Sequence, residues 1–568
     1  MPPANNGPTR HRFTSTFLAV ILLASGSAQP FATHAQTQQQ QAAPPSAAAP
    51  KQNSGTVTCS INAQTAPPLS APLAAARDLY RTGKFDLAIA AYNAIIPTGG
   101  DDAAAAYAGL ARAFLAQKRV SDADAAAAKA VALTPNRAPA IVAQGEVLFR
   151  QGKLAEAEKA FLTPLRACNL DARAYLGLER LYLATLDFKT ADKYIRQAYR
   201  LDPGDPDVRR EYLYMLDGQE RIDFVKKYLA DQTNDDAGTR HEMETLLKVL
   251  EAEKTEGSHD CKLVNNVKET ETKMEMLHED AQNLRGLGLV VKVNGASGTL
   301  NVDTGASGIV IDQKTAEKAG VKHIFDHAVE GIGDTGGSPG YLGYADKIQI
   351  GALEFQGCYI EVVNKRIDED DNGLIGADVF RDYLVDLNMP DRKIKLTQLP
   401  PFPDEAAPAA AGLSTSTKSN RVLHNRYAPP EFKDFTPIML FGHDMLIQTW
   451  AENSGPFLFL IDTGSQDTML DLGLAKQVSK VDLATDVTVR GLSGKVQKVY
   501  HTSRVTLRFA GFTQRRDDLT VIDLTSLSDD SGTQISGLLG FTLFNMLDIK
   551  IDYRDGLVNF NYDPNRLH

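Results

Sequence analysis

Apolar positions along the chain change period twice. Residues 17–24 form one short unbroken run, Phe17-Leu18-Ala19-Val20-Ile21-Leu22-Leu23-Ala24, preceded by Arg10, His11 and Arg12 and followed by small residues. That is the layout of a secretory signal peptide, with cleavage expected after Ala28 or Ala35, and the run is too short for a spanning helix. An uncleaved anchor is the alternative. Residues 36–70, rich in Gln, Ala and Pro, offer little to bury and predict a disordered tether.

From 71 to 251 the pattern is helical, Ala-rich and periodic. An apolar residue followed three later by Ala occurs at Phe85/Ala88, Val120/Ala123, Leu154/Ala157 and Phe188/Ala191, with Ala spacings of 35, 34 and 34. Gly83 and Gly152 stand two before the apolar residue, and Pro135 and Pro203 end helices. The period resembles tetratricopeptide repeats, which implies stacked helix pairs with a shared core and a concave face left for a protein partner; a spacer role is the plainer reading.

Beyond about residue 270 short Val-, Ile- and Leu-rich runs broken by Gly and Asp-Gly predict strands, and they come twice in the same order. An apolar run enters Asp303-Thr304-Gly305 and another enters Asp462-Thr463-Gly464-Ser465. Glycine-rich Gly331-Ile332-Gly333 follows Asp303 by 28 residues, and Gly491-Leu492-Ser493-Gly494 follows Asp462 by 29. The apolar turns Gly373-Leu374-Ile375-Gly376 and Gly537-Leu538-Leu539-Gly540 follow by 70 and 75. Each then runs into a helix-like segment and an alternating strand. Units at 270–398 and 433–565 are thus an internal repeat of two all-β lobes, joined by a Pro-, Ala- and Ser-rich linker at 399–432.

Each unit resembles the lobe of a retropepsin-like (clan AA) aspartic peptidase. The resemblance implies that Asp303 and Asp462 form a catalytic pair within one chain. Thr304 and Thr463 would grip one loop to the other, while Gly305 and Gly464 allow the tight turn. Gly331, Ile332, Gly333, Gly491, Leu492 and Gly494 would form flap tips. Two facing carboxylates share one proton, so one acts as base on a water and the other as acid to the amide nitrogen, with a bell-shaped, acid-leaning pH profile. No metal or cofactor enters that chemistry. Departures are Ala306 after the first motif and Gln466 where Ser or Thr is more usual; Gln466 bears on specificity. A third copy, Asp334-Thr335-Gly336, reads as flap punctuation. The competing reading is a degenerate peptidase fold that only binds peptides.

Composition changes this little. The net charge of −11 and the absence of a basic stripe speak against nucleic acid. The leader implies the periplasm or the outside of the cell, with no membrane span once it is removed. Cys59, Cys168, Cys261 and Cys358 allow two disulfides with three pairings, among them a Cys59–Cys261 link, or four free thiols. His241-Glu242-Met243-Glu244-Thr245 lacks the second His of a zinc helix and reads as surface helix; His278, His323, His327 and His501 read as loop or surface residues.

Overall fold

The computed structural model describes residues 23–25 and 69–564, apart from 168–169, 217, 231–236, 257–259, 266, 279–283, 330, 334–336, 365–371, 404–422 and 485–486. The expected leader therefore lies outside the described residues except for Leu23–Ser25, a short strand beside Thr488–Gly491. The tether up to residue 68, Cys59, Cys168 and the third Asp-Thr-Gly lie outside them too. No helix among the described residues is long and apolar enough to cross a membrane.

The chain divides into two compact units, one helical and one β-rich. The helical unit contains α1 (Ala71–Arg81), α2 (Phe85–Ile95), α3 (Gly100–Ala116), α4 (Val120–Leu133), α5 (Ala138–Arg150), α6 (Leu154–Ala167), α7 (Ala172–Ala184), α8 (Phe188–Leu201), α9 (Pro206–Leu213), α10 (Gly218–Ala230) and α11 (Ala237–Glu256). The four apolar residues of the repeat each open an even-numbered helix from α2 to α8, and Ala88, Ala123, Ala157 and Ala191 are fully buried where paired helices meet. The turn before each of these helices carries a residue at positive φ: Gly83, Lys118, Gly152 and Leu186. Close packing also needs glycine opposite Phe161, since a Cβ at Gly177 would stand 2.3 Å from that ring.

The odd-numbered helices of this unit pair their charges with one another. Arg173 of α7 donates to Glu146 of α5 at 2.7 Å and to Asp205 and Asp207 at 3.1 and 2.7 Å, and Arg112 of α3 donates to Glu146 at 2.8 Å. Tyr80 of α1 donates to Asp207 at 3.0 Å, and Arg81 pairs with Asp202. Burial alone would raise the Glu146 carboxyl; Arg112 and Arg173 outweigh it and hold the group below its usual range.

In the β-rich unit, each lobe is built on a sheet whose central strands repeat. Ala296–Val302 runs antiparallel to Leu284–Val293 and parallel to Gly373–Ile375; Ser454–Ile461 runs antiparallel to Asp444–Ala451 and parallel to Gly537–Leu539. The segments read as apolar turns are thus strands, inserted between neighbours on both sides. Glycine starts each because a Cβ at Gly373 would lie 1.9 Å from the Val310 carbonyl oxygen, and one at Gly537 would lie 2.3 Å from the Phe459 ring. The lobes share a six-stranded antiparallel sheet, ordered Thr436–Pro437, Leu557–Tyr562, Leu547–Asp552, Tyr383–Asn388, Lys393–Gln398 and Glu269–Lys273. Leu387 opposite Ile549 and Val385 opposite Ile551 carry the seam, all four fully or almost fully buried.

Segments outside the two expected lobes, the interlobe linker among them, contribute to this unit. Asp260–Leu263 pairs with Leu353–Val363, and Cys261 is bonded to Cys358. That pairing overturns both a Cys59–Cys261 link and four free thiols. At the end of the interlobe linker, Arg426 donates to the Asp555 carbonyl at 2.9 Å, Tyr427 N–H donates to Asp555 Oδ1 at 2.8 Å, and Phe432 packs with Leu399 and Leu557. His278, His323, His327 and His501 fall on strands rather than loops.

Removing one member of a buried charge network leaves its partners unpaired, so Arg173→Ala is expected to cost the helical unit about 3 kcal/mol or more. Arg137→Ala, at an exposed pair with Asp101, should leave the melting temperature unchanged. Thermal melts followed by circular dichroism compare the two.

Candidate active site

The two Asp-Thr-Gly loops meet at the junction of the lobes. Each aspartate leaves its strand in the same way, with Asp303 N–H donating to the Ile375 carbonyl and Asp462 N–H to the Leu539 carbonyl, both at 3.0 Å. The inserted strands therefore fix the height at which each loop turns. Thr304 N–H donates to Thr463 Oγ1 and Thr463 N–H to Thr304 Oγ1, both at 3.0 Å. Each hydroxyl then donates across the junction, Thr304 Oγ1 to the Ile461 carbonyl at 2.8 Å and Thr463 Oγ1 to the Val302 carbonyl at 2.7 Å. Four bonds related by a near twofold axis hold the loops, and both threonines are buried.

This grip presses the carboxylates together. A Cβ at Gly464 would stand 2.3 Å from Asp303 Cγ, and one at Gly305 would stand 3.0 Å from Asp462 Cγ, so glycine is required on both sides by close approach. Asp303 Oδ1 accepts from Gly305 N–H at 2.8 Å. Asp462 Oδ1 accepts from Gly464 and Ser465 N–H, both at 2.9 Å. The Oδ2 atoms of both residues have no hydrogen-bond partner among the described residues. Both side chains are 0 % exposed. Burial, and then the charge of Asp462, hold the Asp303 carboxyl well above the usual carboxylate range. Burial pushes Asp462 up to about 7, against the lowering effect of its two backbone donors.

Ser465 does not reach the carboxylates with its hydroxyl, which donates to the Asp467 carbonyl at 2.9 Å. Gln466 accepts through its main-chain carbonyl from Thr542 N–H and Oγ1, at 2.8 and 2.7 Å. In the other lobe Asp378 accepts from Ser307 Oγ and Gly308 N–H at 2.8 and 2.9 Å. Sequence reading missed Asp378 and Thr542 as loop anchors. Their signal was their common offset of two from Gly376 and Gly540.

The glycine-rich segments lie over the site. Gly331, Ile332 and Gly333 are at the tip between strands Lys322–Val329 and Ser338–Ile350, and Leu492 and Ser493 are the tip between Gly491 and Gly494. The tips bond to one another: Ser493 N–H donates to the Ile332 carbonyl at 3.0 Å, Gly331 N–H to Ser493 Oγ at 3.1 Å, and Ser338 Oγ to the Leu492 carbonyl at 2.6 Å. Gly333, at φ +141°, passes so close that a Cβ would lie 2.3 Å from Ser493 C. Leu492, 2 % exposed, sits among Ala306, Val310, Val329, Val363 and Leu374 of the first lobe. This apolar nest beside the Asp303 loop was also missed, because its members come from separate strands and no local pattern unites them.

Residues 289–379 and 448–543 match a family model described as aspartyl protease, and residues 73–138 match one described as tetratricopeptide repeat. No curated protein matches the chain. Similar solved structures include an aspartic proteinase from Irpex lacteus, at 13% identity over 53% of this chain and 98% of that one, with a TM-score of 0.32. A thermophilic TPR protein of Thermus thermophilus is 21% identical over 32% of this chain and 96% of its own, with a TM-score of 0.25. Pseudomonas aeruginosa pilF is 17% identical over 34% and 93%, with a TM-score of 0.22. Two tandem regions of the β-rich unit thus match the aspartyl-protease model, and the first part of the helical unit matches the tetratricopeptide-repeat model.

Proposed function

We propose that the protein is an aspartic endopeptidase acting in the periplasm or outside the cell, and that its helical unit recruits a protein partner or substrate. The observation that carries the catalytic reading is the pair of buried carboxylates, each with one oxygen held by backbone N–H and the other unpartnered among the described residues. A water between the free oxygens has both a base and an acid within reach. Asp462, whose Oδ1 accepts two N–H donors, is the better stabilised anion and takes the proton from water. Asp303, held protonated by burial and by its neighbour's charge, gives its proton to the departing amide nitrogen. The bonded flap tips exclude bulk water during these steps and must part to admit substrate. The leader-like residues 10–24 support the location, and the disulfide between Cys261 and Cys358 suits an oxidising compartment.

Asp303→Asn and Asp462→Asn should each lower kcat/KM for peptide cleavage by about a thousandfold or more. Both should also melt higher than wild type at pH 8 and gain less at pH 4. A carboxyl whose folded pKa is raised favours the folded state most at low pH, and that advantage is lost as pH climbs towards the folded value, about 7 for Asp462. Loss of activity together with higher stability separates chemistry from misfolding. Cleavage persisting in both variants would leave only the peptide-binding reading.

The same shifts move the expected pH profile away from acid. The singly protonated pair forms as Asp462 ionises, so the rising limb of kcat/KM should lie above the ordinary carboxylate range, and the falling limb higher still as Asp303 loses its proton. Rates measured from pH 3 to 10 test this; an optimum below pH 4 would contradict the assignment.

A further inference from the structure

The two lobes differ in one row of residues beside the catalytic loops. Side chains on laterally paired residues share a face of a sheet, and residues two apart on a strand share it too. Asn301, two before Asp303, therefore shares the face of the Asp303 carboxylate. Its lateral neighbours are Gly288 on one side and Leu374 on the other, and Leu374 is in turn paired with Val310. Leu374 and Val310 belong to the apolar nest covered by Leu492. The matching row in the second lobe is Leu446, Leu460, Leu538 and Met469, with Leu460 two before Asp462. Where the second lobe sets leucine against leucine, the first sets asparagine against glycine.

Asn301 is 0 % exposed, and neither Oδ1 nor Nδ2 has a hydrogen-bond partner among the described residues. Such a group weakens the fold by its lost hydration, and a leucine would serve packing better there, as it does in the other lobe. Gly286 makes the room: a Cβ there would stand 2.7 Å from Asn301 Oδ1. A polar amide without a partner among the described residues thus stands in the row that leads to Asp303, while the row that leads to Asp462 is apolar.

We infer that Asn301 is a specificity-determining residue, which selects a carboxamide side chain, Asn or Gln, at one of the two substrate positions flanking the bond to be cut. A carboxamide offers one acceptor and one donor in the complementary order, so it satisfies both atoms of Asn301 at once. An aliphatic side chain would leave them buried and unpaired, and sites built this way reject the unpaired analogue strongly. This inference rests on the peptidase reading for the identity of the cleft.

The test uses full-length protein and hexapeptide pairs that differ only by Gln or Leu next to the central bond, before it or after it. Wild type should prefer Gln at one of these positions by tenfold or more in kcat/KM, and Asn301→Leu, which copies Leu460, should abolish or reverse that preference. Asn301→Leu should also melt higher than wild type, which guards against misfolding. Binding of the same peptides to Asp462→Asn, with and without Asn301→Leu, reads the preference without turnover. If wild type cuts no peptide, the peptidase reading falls while the binding ratio still judges Asn301. An unchanged Gln/Leu ratio on replacing Asn301, or a wild-type preference for Leu at both positions, would overturn the inference.

Discussion

Everything in the β-rich unit depends on the reciprocal bonding of Thr304 and Thr463. Two carboxylates repel when ionised and lose hydration when buried, so nothing in the aspartates themselves would bring them into contact. The threonines supply the opposing force. Each offers an N–H and a hydroxyl to the other loop, and each hydroxyl continues into the opposite strand at Ile461 or Val302. The loops are thus positioned by main-chain and hydroxyl groups that carry no charge, and the charge problem is left to a single shared proton. The glycines after each threonine follow from the same demand, since any Cβ would enter the space of the facing carboxylate.

The raised ionisation of the pair has the same origin. Asp303 and Asp462 are both completely buried, and the grip of the threonines holds them so. The flap tips close by contacts between unlike partners. A long hairpin from the first lobe meets a short one from the second, and Leu492 from the short one fills an apolar nest in the other lobe. The two-lobed unit is therefore symmetric at its floor and asymmetric at its roof and walls, with Asn301 opposite Leu460 as the sharpest difference beside the carboxylates.

Legibility in the sequence followed the range of the interactions. The helix pairs were readable because Phe85, Val120, Leu154 and Phe188 recur at the period of the unit they open, and each lies at the first position of its helix. The two lobes and their Asp-Thr-Gly loops were readable for a related reason: duplication turned single motifs into a spaced series. What escaped was lateral. Gly373–Ile375 and Gly537–Leu539 looked like turns because three residues between glycines carry no strand signature alone; they are extended because neighbours flank them on both sides. The bond between Cys261 and Cys358 joins positions 97 residues apart, a pairing set by strand register that spacing could not select. The charge network around Arg173 was hidden likewise, because its members fall on successive repeats and meet only when the helices stack.

The shared six-stranded sheet changes the kind of equilibrium that governs the site. Tyr383–Asn388 from the first lobe lies against Leu547–Asp552 from the second, so the seam forms as part of folding one molecule. Between separate one-lobe chains the same seam would be an association, and its completeness would fall on dilution by mass action. Within one chain the second lobe is always present at a high effective concentration fixed by the connection between them. The fraction of molecules with a complete pair of carboxylates is then set by folding stability alone, whether the protein is abundant or scarce.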